Sequence, residues 1–199
     1  MGKREPVVRD TKQRILDAAL EVFGEHGYRG ASVDDVAAAA GVTKGAIYYY
    51  FTDKDDLARD LQHRLWDQLS QEALRVYDVD RSTVDNLLVC FEAFLTTIQG
   101  MPGARVFLRD AWFSPELDEA GRNDHELALG LVQDLVQQGI DRGELEALDP
   151  EAMTRVLVGG LMEATLHILG SGELDPTLTV VRHVIRSFEA SPATVRARR

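Results

Sequence analysis

With 199 residues, 45% of them hydrophobic and 28% charged, the chain has the make-up of a soluble protein able to bury a core as one or two small domains. Its single cysteine, Cys90, excludes an intramolecular disulfide framework and fits a reducing cytoplasm. The net charge of −11 argues against an anionic partner only until its distribution is read.

Residues 1–54 carry eight Lys/Arg and eight Asp/Glu, whereas the remaining 145 carry fourteen basic and twenty-five acidic side chains. The N-terminal part can therefore approach an anionic surface that the acidic remainder would be repelled by. The polar start, MGKREPVVRD, lacks the apolar core of a secretory signal. No run of ~18 uninterrupted apolar residues is present. The most apolar stretch, 156–169, is broken by Gly159, Gly160, Glu163 and His167. These features predict a cytoplasmic protein with no membrane partner.

In chain order, Ile15, Ala19, Val22 and Phe23 place an apolar stripe on a helix from about Thr11 to His26, which Gly27 stops. Ser32, with Asp35 three residues on, gives a capping-box start to a short helix over 33–40, and Gly41 ends it. Thr43 caps a second short helix over 44–50. Asp53 caps a long one over 54–77, in which Leu57, Leu61, Leu65 and Leu69 recur every four residues. Further starts are read at Ser82 with Asp85, and at Ser114-Pro115, Asp149-Pro150 and Asp175-Pro176. Between them lie apolar stripes around 83–99, 103–112, 122–142, 151–169 and 177–189. The reading is all-α, with about nine helices and no strand. The first eight or so residues and the tail from Ser191 read as unpacked.

Two helices of about two turns joined by Gly41-Val42-Thr43 form a helix-turn-helix. Val33, Val36, Ala37, Val42, Ile47 and Phe51 can pack against Leu16, Leu20 and Phe23. Thr43, Lys44, Gly45, Tyr48 and Tyr49 are then left on the outer face. A recognition helix presents its first residues to the major groove, where a lysine can bond guanine O6 and N7 and tyrosine hydroxyls can reach phosphate. Taken alone, the three tyrosines fit a packed aromatic cluster equally well.

The stretch ILDAALEVFGEHGYRGASVDDVAAAAGVTKGAIYYYFTDKDDL, within residues 12–57, resembles the DNA-binding domain of the TetR family of transcriptional regulators. Ile15, Ala18, Ala19, Phe23, Gly27, Tyr28, Ser32, Val33, Ile47, Tyr48, Phe51, Lys54 and Leu57 carry the resemblance, in register and without gaps. It implies a helix-turn-helix DNA-binding domain over 1–55 and a ligand-binding and dimerisation domain over 56–199. By position it implies base or nearby backbone contacts from Thr43, Lys44, Gly45 and Tyr49, and phosphate contacts from Tyr48, Lys54 and Ser32. Ala46 and Tyr50 depart from the Ser/Thr and His frequent at those positions. The partners implied are a palindromic operator, a second copy of the chain and a small apolar or amphipathic effector, with repression the expected outcome. Activation by the same fold, or a small helical enzyme or carrier with a structural helix-turn-helix, are the alternatives.

Beyond about residue 60 no motif is recognised. Candidate effector-pocket residues are Trp66, Phe91, Phe94, Leu95, Ile98, Phe107, Trp112, Phe113 and Met162, each of which fits a core position as well. Glu163 and His167, four apart, share a helix face and fit a local pair or an interface better than a ligand contact. Arg105 and Arg109 likewise share a face. Leu157, Leu161, Ala164 and Ile168 line one stripe, and Leu178, Val181, Val184, Ile185 and Phe188 another, which are read as the two-helix half of a dimer interface. No catalytic constellation, metal-ligand cluster or cofactor motif stands out, so no enzyme activity, metal or cofactor is expected.

Overall fold

The computed structural model describes residues 5–101, 103, 104, 106–108 and 118–191, with side chains from residue 11 and, in the last stretch, from residue 126. The helices are α1 (Glu5–Gly30), α2 (Val33–Ala40), α3 (Lys44–Tyr50), α4 (Lys54–Arg75), α5 (Thr83–Gln99), α6 (Asp118–Asp141), α7 (Pro150–Ser171) and α8 (Asp175–Arg186). Residues 103, 104 and 106–108 are helical too, which brings the helices among the described residues to nine. The described residues form no named strand, only an isolated antiparallel bridge between Leu145 and Glu189. The Ser114-Pro115 start and the tail from residue 192 lie outside the described residues.

Most of the predicted starts are made by the side chains that signalled them. Ser32 and Asp35 form a complete capping box on α2. Thr43 accepts from the Ala46 amide, Ser82 from that of Asp85, and Asp149 from that of Ala152. Asp53 accepts from the Asp56 amide at 2.7 Å. Asp175 departs from its predicted role: it lies inside the first turn of α8, and Leu174 occupies the cap position with no side-chain hydrogen bond. Helix α1 begins at Glu5, before the predicted Thr11, and breaks at Gly27, where φ is 71°. That left-handed value is cheap only for glycine, so the sequence signal for a stop marks a kink.

The chain divides into two compact units, one from Met1–Asp67 with Met101–Arg122 and the other from Gln68–Gly100 with Asn123–Arg199. The chain passes from one to the other within α4. In the first unit, Ile15, Phe23, Ile47, Leu57, Leu61 and Phe107 are fully buried. Phe23 stacks on Phe107 at 5.4 Å and meets Tyr28 edge-on at 5.7 Å. A Cβ on Gly24 would fall 2.8 Å from the Gly103 Cα, so α1 approaches that segment backbone to backbone.

In the second unit α5, α7 and α8 pack on one another around Leu87, Leu95, Ile98, Ile168 and Ile185. Glu144, in the α6–α7 loop, accepts from the Thr83 amide, and its carbonyl accepts from Ala190 at 2.9 Å. The Glu146 amide donates to the Phe188 carbonyl at 2.9 Å, so this loop pins the chain that follows α8. Helix α7 is the one described helix with the length and mean hydropathy (1.2) of a membrane span, and half of that window is buried by packing.

Gly24→Ala is expected to destabilise the protein by about 1–3 kcal/mol despite alanine's better helix propensity, because backbone must move to admit the methyl. Urea unfolding measures it; an unchanged midpoint would show that the crossing can relax.

Candidate nucleic-acid interface

The face under consideration is built by two helices of eight and seven residues, shorter than peptides that hold helix in water by themselves. Their inner sides carry Val33, Val36, Ala37, Ala40 and Ile47, all buried, followed by buried Phe51. Their ends are closed by hydrogen bonds. At the start of α2 the Ser32 amide and hydroxyl donate to Asp35 Oδ2 at 2.9 and 2.6 Å, and Asp35 returns its amide to Ser32 Oγ. The hydrogen bonds with Ser32 hold the Asp35 carboxyl below its usual pKa. At the other end Gly41 takes the left-handed conformation, φ 63°. Arg14, from α1, donates to the Ala40 carbonyl at 2.7 Å.

The third helix begins at Thr43, whose Oγ1 accepts from Ala46 while its hydroxyl hydrogen remains able to donate outward. Tyr49 is 78% and Tyr48 49% exposed. Lys44 and Gly45 are exposed beside them. Tyr50 is half-buried, its ring edge-on to Tyr49 at 5.0 Å. Five of the seven predicted contact residues, Thr43, Lys44, Gly45, Tyr48 and Tyr49, thus share one exposed stretch of backbone.

The other two have further work within the fold. Ser32 is exposed, but its hydroxyl hydrogen is committed to Asp35. The Lys54 ammonium donates to the carbonyls of Tyr28 (2.9 Å) and Ala31 (3.2 Å) and sits 4.5 Å above the Tyr28 ring. The Tyr28 hydroxyl in turn donates to Asp55. Lysine and tyrosine together lock the start of α4 onto the joint between α1 and α2. A single ammonium hydrogen is left for an outside acceptor. The salt bridge of Lys12 with Asp60 (2.7 Å) and that of Arg64 with Asp17 add two more ties between α1 and α4.

Sequence reasoning missed Arg14, Asp55 and, above all, Asp34. Lys44 Nζ donates to Asp34 Oδ2 at 2.8 Å, and this bond raises the lysine pKa. The signal available was two opposite charges, each in the first turn of its helix, but the angle of the turn that brings them together is not written in the residues.

The predicted effector-pocket residues fall into two sets. Trp66 and Phe107 are buried in the first unit, Phe107 against Phe23. Phe91, Phe94, Leu95 and Ile98 are buried along α5 in the second, with Met162 half-buried on α7. Trp112, Phe113, Arg105 and Arg109 lie outside the described residues. Among the described members of the predicted set, Phe91 alone borders the groove of about 500 Å³ that runs between α7 and α8. Among the described residues no three His, Cys, Asp or Glu side chains converge as metal ligands.

The predicted dimer stripe divides. Leu157, Leu161, Ala164, Val181 and Ile185 line the groove, Leu157 and Ile185 almost fully buried at its floor, whereas Ile168 is wholly buried within the protomer. Val181 and Phe188 are half-buried. The apolar side chains turned outward on these helices are Val156 (56% exposed), Val180 (63%) and Val184. Glu163 and His167 line the same groove, and a Cβ on Gly159 or Gly160 would meet nothing within 4 Å. Packing against α5 takes the predicted leucines and isoleucines inward.

The model for bacterial regulatory proteins of the tetR family matches residues 15–61, and one for a tetracyclin repressor-like C-terminal domain matches residues 84–190. The chain belongs to the tetR family of bacterial regulatory proteins. Its helix-turn-helix falls within the match to the family's N-terminal model. The HTH-type transcriptional regulator AcrR of Shigella flexneri is 44% identical over 59 residues, 30% of this chain and 27% of AcrR. The chain thus spans about a quarter of AcrR's length, and 34% and 21% of two Pseudomonas putida regulators that it also matches. Among solved structures, the transcriptional regulator FadR of Bacillus subtilis in complex with stearoyl-CoA superposes with a TM-score of 0.77 at 21% identity, over 88% of this chain and 96% of FadR. The SmeT–triclosan complex does so with a TM-score of 0.78 at 21% identity, over 93% of this chain and 94% of SmeT. At that identity both are likenesses of fold.

Lys54→Met keeps the apolar stem over Tyr28 and removes the donors to two carbonyls. It is expected to cost about 1–3 kcal/mol of stability, read as a lowered thermal midpoint. A variant that melts with the parent would mean that the clasp is dispensable to the fold.

Proposed function

We propose that the protein is a ligand-responsive transcriptional repressor that binds a palindromic operator as a homodimer and is released by a small apolar or amphipathic effector. The observation that carries this reading is the capped, packed helix-turn-helix with Thr43, Lys44, Gly45, Tyr48 and Tyr49 side by side on its open face. A surface so exposed and so held from behind suits docking in a major groove. Thr43, Lys44, Gly45 and Tyr49 are assigned to base edges and nearby backbone. Tyr48 is assigned to phosphate, helped by the remaining hydrogen of Lys54 and the α2 start at Ser32.

The partner for dimerisation is a second copy seated on the α7–α8 groove. Support comes from the outward valines, the bare backbone at Gly159 and Gly160, and an apolar trough open to solvent. Two such faces related by a two-fold axis would form a four-helix contact, and operator palindromy would follow from the same axis. For release, the effector need only bind the DNA-incompetent conformation more tightly. The stearoyl-CoA and triclosan complexes of FadR and SmeT support an effector of amphipathic or apolar character.

Selection from a random duplex pool, followed by fluorescence anisotropy, tests the DNA reading. The selected duplex should bind saturably, with affinity falling steeply as salt rises, and Lys44→Ala should relax preference at one base step. Equal binding to every duplex would overturn sequence-specific regulation. For the dimer, Val180→Arg is expected to give a folded monomer in sedimentation velocity, whereas Ile185→Arg should unfold the chain because that side chain is buried. A dimer that survives Val180→Arg would place the interface elsewhere.

A further inference from the structure

Between Ser32 and Thr52 the chain holds a single basic residue, Lys44, and two carboxylates, Asp34 and Asp35. Asp35 is consumed by the capping box with Ser32. Asp34 has no such partner in its own helix, and its Oδ2 lies 2.8 Å from the Lys44 ammonium, ten residues away. The neighbouring cations are held elsewhere: Lys12 by Asp60, Arg14 by the Ala40 carbonyl and Lys54 by two carbonyls. The one cation that the recognition helix offers is therefore already neutralised.

This arrangement bears on selectivity. Attraction to the phosphate backbone is electrostatic and the same for every sequence, so a lysine held in an internal pair contributes little to it. A base edge with two acceptors, such as guanine O6 and N7, can replace the carboxylate as the ammonium's partner; a mismatched step cannot. Meanwhile the released carboxylate faces an anionic duplex at a distance where screening is incomplete. Breaking the pair is thus compensated only where the correct base is present, which is the logic of discrimination by an unfavourable element against wrong partners.

We propose that Asp34 is a specificity-determining residue of the reading surface, holding Lys44 in an internal ion pair that the matched base step displaces and random duplex does not. The proposal rests on the DNA-binding reading above. An exposed pair has a small energy, so the effect is a modest shift in preference and not an on-off switch.

The experiment is a double-mutant cycle on the full chain, Asp34→Asn, Lys44→Gln and both together. Anisotropy is measured against the duplex that the parent selects and a scrambled duplex of equal length and composition, across a salt series. Asp34→Asn is expected to tighten binding to the scrambled duplex about three- to fivefold. The selected-to-scrambled ratio should fall about threefold, and the salt slope on scrambled DNA should steepen by about 0.9, the equivalent of one more phosphate contact. In the Lys44→Gln background the same substitution should leave the ratio unchanged. Matching far-ultraviolet circular dichroism and melting of all four proteins shows that folding is not being read. A ratio unaltered by Asp34→Asn, or altered equally with and without Lys44, overturns the proposal alone. Weaker binding of the selected duplex to Asp34→Asn also overturns it, making the carboxylate a direct contact. A parent that selects no duplex overturns the DNA reading and the proposal together.

Discussion

The second and third helices are too short to exist without their surroundings, and the exposed face they carry depends on how that deficit is met. A helix of eight residues followed by one of seven leaves a large fraction of its backbone donors and acceptors without intrahelical partners. Here they are satisfied from several directions: the Ser32–Asp35 box, Gly41 and Arg14 at the junction, Thr43 at the next start. Ile47 and Phe51 then anchor the third helix in the core. Because packing fixes the inner face, the outer one is preorganised, and a rigid surface loses less entropy on binding.

Charge acts on a second scale. The acidic excess lies wholly beyond residue 54, where it favours solubility and opposes nonspecific adhesion to polyanions. The N-terminal part is electrically balanced, and among its described basic side chains Lys12, Arg14 and Lys54 are engaged in holding α1, α2 and α4 together. A surface of this kind relies for contact on backbone amides, hydroxyls and aromatic edges as much as on formal charge. That shifts the balance from general phosphate attraction toward local fit.

Helices α7 and α8 carry apolar side chains on two sides. Their leucine and isoleucine side packs with α5 to form the core of the second unit, while Val156, Val180 and Val184 remain outside. The glycine pair at 159 and 160 leaves the backbone bare beside those valines. Helix α7 is apolar over most of its circumference, which is why its hydropathy reaches that of a membrane span. Buried on one side and grooved on the other, it has two apolar faces to account for.

The parts of this fold legible in the residues are those set over three or four positions. The starts at Ser32, Thr43, Asp53, Ser82 and Asp149, and the left-handed turn at Gly41, follow from side chains bonding to backbone in their own first turn. The exposed face of Thr43, Lys44, Gly45, Tyr48 and Tyr49 was legible for a related reason: helical spacing separates it from buried Ile47 and Phe51. What was not legible depends on partners far along the chain. Lys54 meets carbonyls 26 and 23 residues away, Arg14 one at 26, and Lys44 a carboxylate at ten. Periodicity found the stripes on α7 and α8 but assigned Ile168 to a partner, although it is wholly buried in its own core. A stripe records that a face is buried and not against what. Local chemistry thus settled where helices begin and which residues stand at the tip, while long-range packing settled which of those residues remain free to act.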